Sequence, residues 1–376
     1  MASRIISTVQ SIDTIRRSIE VEYWVIDDEG RLVEPDDLVD AAPGAEREFV
    51  EPMLEIKTTP CETAEQLRRE LLGRIGAVLD RADDLDRGLV PLATPLNHGE
   101  IADLPSDRTR IQDEIIGADF EYVRHCAGTH IHVEQQPGRA VDQLNTLIAL
   151  DPALALVNSS PYYRGEPLAD GARSQLYRWM AYEGLAHQGR LWPYIDSPGQ
   201  WDRRLERRHE EFVTAALDAG FDRSTIEANF CPESSIWTPV QLREEFGTVE
   251  WRSPDTALPG QTLQLAERIV AVIEQLQHAD LQIGGGVPGV SDGTIRLPAF
   301  DRVCELVEAA IEDGLASPAV ESYLDSMGFD TDAYQPLSSQ VDQHQEISTD
   351  DARRLRLEYA HRLDEDVRQR SPISAD

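Results

Sequence analysis

The chain is 376 residues long and carries 69 acidic against 35 basic side chains, a formal net charge of −34. That balance excludes sequence-independent binding to nucleic acid or to an anionic membrane, both of which are polyanions. Lys57 is the one lysine, every other basic residue being arginine. The acids are spread over successive helices, as in Arg81-Ala-Asp-Asp-Leu-Asp86, which points to a halophilic protein; in molar salt the Debye length is roughly 3 Å and self-repulsion is screened.

In chain order, residues 18–26 read as a strand, followed by a turn at Asp27-Asp-Glu-Gly30. A second strand is expected around 53–59, stopped by Pro60. An amphipathic helix follows from Glu62 to about Arg87, with Leu67, Leu71, Leu72, Ile75 and Leu79 at helical spacing. Strands are expected near 89–94 and 129–134, helices over 139–158 and 202–219, and short strands over 224–229 and 247–252. The pattern from 261 to 281 is helical and is broken by Gly284-Gly-Gly-Val-Pro-Gly289. Beyond it, helices are expected over 299–313, 317–327 and 348–370. Strands separated by long helices without regular βαβ alternation predict an α+β fold. A boundary near residue 284 divides a catalytic domain, 1–284, from a C-terminal helical extension packed on it, 285–376.

Four cysteines, Cys61, Cys126, Cys231 and Cys304, lie far apart with no Cys-x-x-Cys pair, which suits reduced thiols in a cytosol. The N-terminus, Met1-Ala-Ser-Arg-Ile-Ile6, has no long apolar run, and no 18-residue apolar stretch occurs. The expectation is a soluble cytoplasmic protein.

Three stretches place polar groups at every second residue. They are Ser-Ile-Glu20-Val-Glu22-Tyr, Gly-Thr-His130-Ile-His132-Val and Gly-Thr-Val-Glu250-Trp-Arg252. Alternate side chains of a strand share a face, so each stretch aims two polar groups one way while Val21, Ile131 and Trp251 point into a core. Glu55, between Leu54 and Ile56, belongs to the same kind of face, and Glu48 and Glu51 lie on the loop leading to it. Carboxylates on an inner sheet face are costly unless compensated. Hard divalent cations, magnesium or manganese, compensate them, and one histidine among carboxylates suits either ion. The pattern therefore predicts a metal-dependent enzyme on a concave antiparallel sheet. Arg164 and Arg173, after the turn Ser160-Pro-Tyr-Tyr-Arg-Gly165, are candidates for clamping phosphate oxygens. No P-loop and no Gly-x-Ser-x-Gly motif is present.

Together these segments resemble the type 2 glutamate–cysteine ligase family, also described as carboxylate–amine ligases. The resemblance runs through Ser18-Ile-Glu-Val-Glu22, Glu51-Pro-Met-Leu-Glu55, Gly128-Thr-His-Ile-His132, Ser159-Ser-Pro-Tyr162 with Gly165, and Gly247-Thr-Val-Glu-Trp-Arg252, over roughly residues 10–280. The scarcity of lysine makes the chain look like haloarchaeal members of that family. The resemblance implies a glutamine synthetase-like fold, a curved antiparallel sheet with helices on its convex face. It implies ATP as cofactor and glutamate and cysteine as small-molecule substrates, with the oligomeric state left open. By the same resemblance Glu20, Glu22, Glu48, Glu55, His130 and Glu250 are metal ligands. Arg252 matches an arginine near the transferred phosphate and Arg173 a basic position following the Ser-Pro-Tyr motif, and His132 lies where substrate contact is expected. With Arg164, a clamp candidate by its chemistry alone, Arg173 and Arg252 are the expected nucleotide-binding residues. The expected reaction is ATP-dependent joining of the glutamate γ-carboxyl to the cysteine amine through a γ-glutamyl phosphate. Another amine acceptor, or a metal-dependent hydrolysis at the same site, are the competing readings.

Overall fold

The computed structural model describes residues 14–371 apart from 183, 292 and 342–344; the N-terminal stretch discussed above lies outside them. The first part of the chain forms β1 (Arg17–Asp27), β2 (Ala45–Arg47), β3 (Met53–Lys57), α1 (Ala64–Asp84), β4 (Arg87–Val90), α2 (Asp107–Ile116), α3 (Glu121–Arg124), β5 (Thr129–Glu134) and α4 (Ala140–Ala149). Next come the two-residue strands β6 (Tyr162–Tyr163) and β7 (Glu166–Pro167), then α5 (Ala172–Gln175), α6 (Pro198–Asp218), α7 (Arg223–Asn229), β8 (Val240–Arg243), β9 (Thr248–Trp251) and α8 (Pro259–Gln275). The chain continues through β10 (Asp280–Ile283), β11 (Gly289–Ser291), β12 (Thr294–Leu297), α9 (Phe300–Glu312), α10 (Pro318–Ser326) and α11 (Thr349–Arg370).

The α+β class expected from the sequence is the one adopted. Strands β2-β3-β1-β5-β9-β8 pair in that order, all antiparallel, and β4 pairs with the far end of β1. Alternation along β1 sorts its side chains cleanly. Ile19, Val21, Tyr23 and Val25 join a core with Leu71, Leu72 and Ile75 of α1, Leu144 and Leu147 of α4, and Ile269 and Val270 of α8. Each apolar side chain so buried contributes roughly 1.5–3 kcal/mol. The opposite face begins polar at Glu20 and Glu22 and turns apolar at Trp24 and Ile26, which pack with Ala352 and Tyr359 of α11. Helices therefore cover one face fully and the far end of the other. Buried Arg356 of α11 fastens it there, donating to the carbonyls of Gly30 (2.9 Å), Pro95 (2.7 Å) and Asn97 (2.9 Å).

Several local expectations are corrected. Residues 224–229 are not a strand but part of α7, because Asp222 caps that helix, accepting from the Thr225 N–H at 2.9 Å. The helix expected over 139–158 ends at Ala149; Pro152 cannot donate within it, and a 3₁₀ turn, Asp151–Leu156, follows. The helix expected to 281 stops at Gln275, and 280–283 is strand β10. The region after 284 is not purely helical, since β12 pairs with both β10 and β11. Residue 284 thus lies in the connection between β10 and β11 of a small sheet, whose Ile295 and Leu297 belong to the main core.

Candidate active site

Register brings the alternating polar residues into one row. On the face left open by α1, α4 and α8, Glu22 stands opposite Glu55, Glu20 opposite His130, His132 opposite Glu250, and Glu250 opposite Gln241. His130 Nδ1 lies 3.0 Å from Glu20 Oε2 and 3.8 Å from Glu250 Oε1. His132 Nε2 lies 3.7 Å from Glu20 Oε1, while its Nδ1 is 3.1 Å from the Thr248 hydroxyl. Glu250, only 1% exposed, is fixed by Gln241 Nε2 at 2.8 Å and Arg243 Nη1 at 2.9 Å, both on Oε2. Its other oxygen faces His130 and lies 3.6 Å from Arg252 Nε.

Two groups of donor atoms have the compactness a cation needs. Glu20, Glu55 and His130 offer atoms all within 4.8 Å of one another, and so do Glu22, Glu48 and Glu55. Glu55 is common to both and is 3% exposed. Burial first, then the charges of Glu20 and Glu22, push its carboxyl up to about 7. Burial and the repulsion of Glu55 and Glu22 likewise raise Glu48 well above the carboxylate range. At Glu20 burial acts upward too, but hydrogen bonds and charge from His130 and His132 outweigh it and hold the carboxyl low. At Glu250 the opposing charges of Arg252, His132, His130 and Arg243 overcome burial and bring it to about 2. Carboxylates that repel one another in a buried row fit a divalent ion, and oxygen donors with one imidazole fit magnesium or manganese.

Beside this row lies a cavity of about 200 Å³ lined by Glu22, His130 and five arginines, Arg108, Arg124, Arg173, Arg243 and Arg252, together with aromatic and apolar residues such as Phe120, Tyr177, Tyr182 and Trp237. Arg252 points a nitrogen to 3.5 Å from His130 Nε2. Arg173, 7% exposed, donates to the carbonyls of Ser253 (3.0 Å) and Arg252 (3.2 Å), and its Nε meets no acceptor among the described residues. Gly128 makes this possible, because a Cβ there would collide with the Arg173 guanidinium; the Gly128 N–H donates to Glu22 Oε2 at 2.5 Å. Behind the β9 end lies a fully buried support. Asp151 accepts from Arg178 Nη1 at 2.7 Å, from the Trp251 indole at 2.8 Å and from the Ser253 hydroxyl.

Of the residues singled out in sequence, Glu20, Glu22, Glu48, Glu55, His130, His132, Glu250, Arg173 and Arg252 converge. Arg164 does not: it is half-exposed, pairs with Glu121 at 2.9 Å, and does not line the cavity. Sequence reasoning missed Gln241, Arg243, Arg108, Arg124 and Lys57. Gln241 and Arg243 carried the same every-second-residue signal as the motifs that were found; Arg108 and Arg124 sit on helices and carried none. A larger surface groove of about 730 Å³ along α6 contains none of the candidate residues.

Two solved structures share this fold. A bifunctional glutathione synthetase from Pasteurella multocida matches 94% of this chain and 53% of its own, with a TM-score of 0.53 and 16% identity. A glutamate–cysteine ligase from Francisella tularensis, in complex with AMP, matches 94% and 89%, with a TM-score of 0.56 and 13% identity. At these identities the likeness is one of fold. In sequence, a Frankia casuarinae protein provisionally named glutamate–cysteine ligase 2-1 is 27% identical over 229 residues, 57% of this chain and 51% of that protein. The chain thus spans about half the length of the curated relative it matches. The family model of glutamate–cysteine ligase family 2 matches residues 17–283. The chain belongs to that family.

Proposed function

We propose that the protein joins the γ-carboxyl of glutamate to the amine of cysteine, consuming ATP and releasing ADP and phosphate through a γ-glutamyl phosphate. The observation that carries this reading is the convergence of Glu20, Glu22, Glu55, His130 and Glu250 on one sheet face beside Arg252 and an arginine-lined cavity. A carboxylate is a poor electrophile, and phosphorylation makes its carbonyl open to attack by an amine. Such a reaction needs charge neutralisation rather than a protein nucleophile, in keeping with a face made of acids and arginines.

Glu20, Glu55 and His130, together with Glu22 and Glu48, are the residues that would hold magnesium or manganese. The ion would supply neutralisation of phosphate charge. Glu250, fixed by Gln241 and Arg243, orients His130 and Arg252. Arg252 is set to stabilise negative charge on the transferred phosphoryl group; burial acts against its own charge, but Glu250 outweighs that and keeps it firmly protonated. Arg173 holds the Arg252–Ser253 backbone and lines the cavity, a position suited to an anionic substrate group. In this reading residues 1–284 hold the chemistry and 285–376 support it. Among the described residues no helix is long and apolar enough to cross a membrane.

The test is ADP release by pure protein given glutamate, ATP and magnesium at molar potassium chloride, screened over amino acids as amine acceptors. A cysteine-selective response supports the proposal. Selectivity for another amine keeps the ligase chemistry and changes the product; turnover of amides or phosphate esters without nucleotide overturns it.

A further inference from the structure

The hairpin that carries Glu250 also carries an aromatic ring that the fold leaves uncovered. β8 and β9 are joined by the turn Glu244-Glu-Phe-Gly247, closed by the Gly247 N–H on the Glu244 carbonyl at 3.1 Å. The turn is pinned at both ends. The Glu244 N–H donates to Glu233 Oε1 at 2.9 Å, and the Gly247 carbonyl accepts from the Gln135 N–H at 2.8 Å. Phe246 stands on it 56% exposed, the most exposed aromatic residue among those described. Its ring meets His132 edge to face, with 6.0 Å between centroids, and the Arg243 guanidinium carbon lies 5.0 Å from its centre. His132 in turn lies 3.7 Å from Glu20, and its buried Nε2 has no hydrogen-bond partner among the described residues. The ring is therefore two side-chain contacts from the acid row.

Along β9, Arg252 lines the cavity, Glu250 belongs to the row, and Thr248 leads back to the turn; neither Phe246 nor His132 lines the cavity. A nucleotide with its phosphates over the acid row has its base to one side of that row. The carboxyl and amine that react need the enclosed, water-poor side. The base makes and breaks no bond, so it can lie on the open side, where a flat exposed ring gives it a surface to stack on. We propose that Phe246 is the stacking platform for the adenine base of ATP, with the phosphates running along β9 from the turn toward Glu250 and Arg252. The inference rests on ATP as the nucleotide of the proposed reaction, and the experiment keeps the two failures apart.

ADP release is measured for the full chain and for F246A and F246W, with glutamate and the amine acceptor saturating and folding followed by circular dichroism. Magnesium tripolyphosphate, which has the phosphates without the base, is tested as an inhibitor against ATP. F246A should raise the KM for ATP about tenfold, the scale of one lost base–aromatic stack, with kcat changed far less. F246W should keep the KM near that of the wild type, and the inhibition constant of tripolyphosphate should be the same in all three. An unchanged KM in F246A overturns the proposal. An equal rise for ATP and tripolyphosphate also overturns it, because Phe246 would then only prop His132 and Arg243. Should F246A not fold, or tripolyphosphate not inhibit, photolabelling of the wild type with 2-azido-ATP decides. Label mapped by mass spectrometry to residues 244–247 supports the stack, and its absence from that turn overturns it. No ATP binding or turnover by any form removes the ligase reading as well; ATP turnover that is indifferent to Phe246 removes this inference alone.

Discussion

Asp151→Asn tests whether the functional face depends on the buried polar network behind it. Asp151 and Arg178 form an ion pair with side chains 0% and 2% exposed. The carboxylate accepts from two guanidinium nitrogens at 2.7 and 3.3 Å, from the Trp251 indole at 2.8 Å, and from the Ser253 hydroxyl. Burial acts against the charge on Arg178, and Asp151 overrides it, holding the guanidinium protonated. An asparagine keeps the shape but leaves that cation uncompensated and turns an NH₂ toward donors. Loss of one partner of a buried pair costs about 3–5 kcal/mol, a large share of the 5–15 kcal/mol typical of a folded domain. Urea unfolding of both proteins at one salt concentration measures it. The loss should persist across potassium chloride concentrations, because a pair this dry is poorly screened. The double variant D151L/R178M should recover part of the loss. A cost under about 1 kcal/mol, or one that vanishes in high salt, would refute the argument.

Glu20→Gln and Glu250→Gln should each lower ADP release at least about a hundredfold with an unchanged circular dichroism spectrum. Arg252→Lys keeps the charge but not the fork; kcat should fall by about tenfold or more with a smaller change in KM, read from steady-state kinetics. Asp255 is buried, its carboxyl pushed up to about 7 from an ordinary 3.8. The folded state therefore binds its proton more tightly than the unfolded chain, and that stabilisation is complete below about pH 4 and lost as pH rises to about 7. Asp255→Asn should match the wild type near pH 4 and exceed it at pH 8 by on the order of 2–4 kcal/mol in urea unfolding; parallel pH profiles would count against it. Raising potassium chloride from low to molar concentration should lower the KM for ATP.

What the sequence disclosed was whatever depends on a period of two. Glu20/Glu22, His130/His132 and Glu250/Arg252 each showed a shared face, and antiparallel register then aligned those faces into one row. Residues 224–229 misled because their helix buries only Ile226, too few apolar residues to show a helical stripe. The small sheet of β10 to β12 was hidden by its length: β10 and β11 bury no residue, and the alternation of Ile295 and Leu297 in β12 spans only four positions. Arg164 looked like a phosphate clamp because it adjoins the Ser-Pro-Tyr turn, yet its φ of 52° sends it outward to Glu121. Cavity residues such as Arg108, whose guanidinium is held by the carbonyls of Asn229 and Ser234 some 120 positions away, are set by tertiary contacts that no local pattern encodes.

The charge of −34 and the arginine-lined cavity pose one problem together. A polyanionic surface repels phosphates and carboxylates, the groups the proposed reaction brings in, and at low ionic strength that repulsion reaches tens of ångströms. At molar salt it dies within roughly 3 Å, and only charges in contact with a ligand still count. Recognition then depends on guanidinium groups placed at the point of contact, where forked geometry adds direction to charge. Arg173 and Arg252 satisfy that condition because their positions are set by the backbone at Ser253 and by Glu250 rather than by the protein's overall field. Acids on the outside and cations at the site are therefore compatible, provided that the arginines are held by short-range contacts.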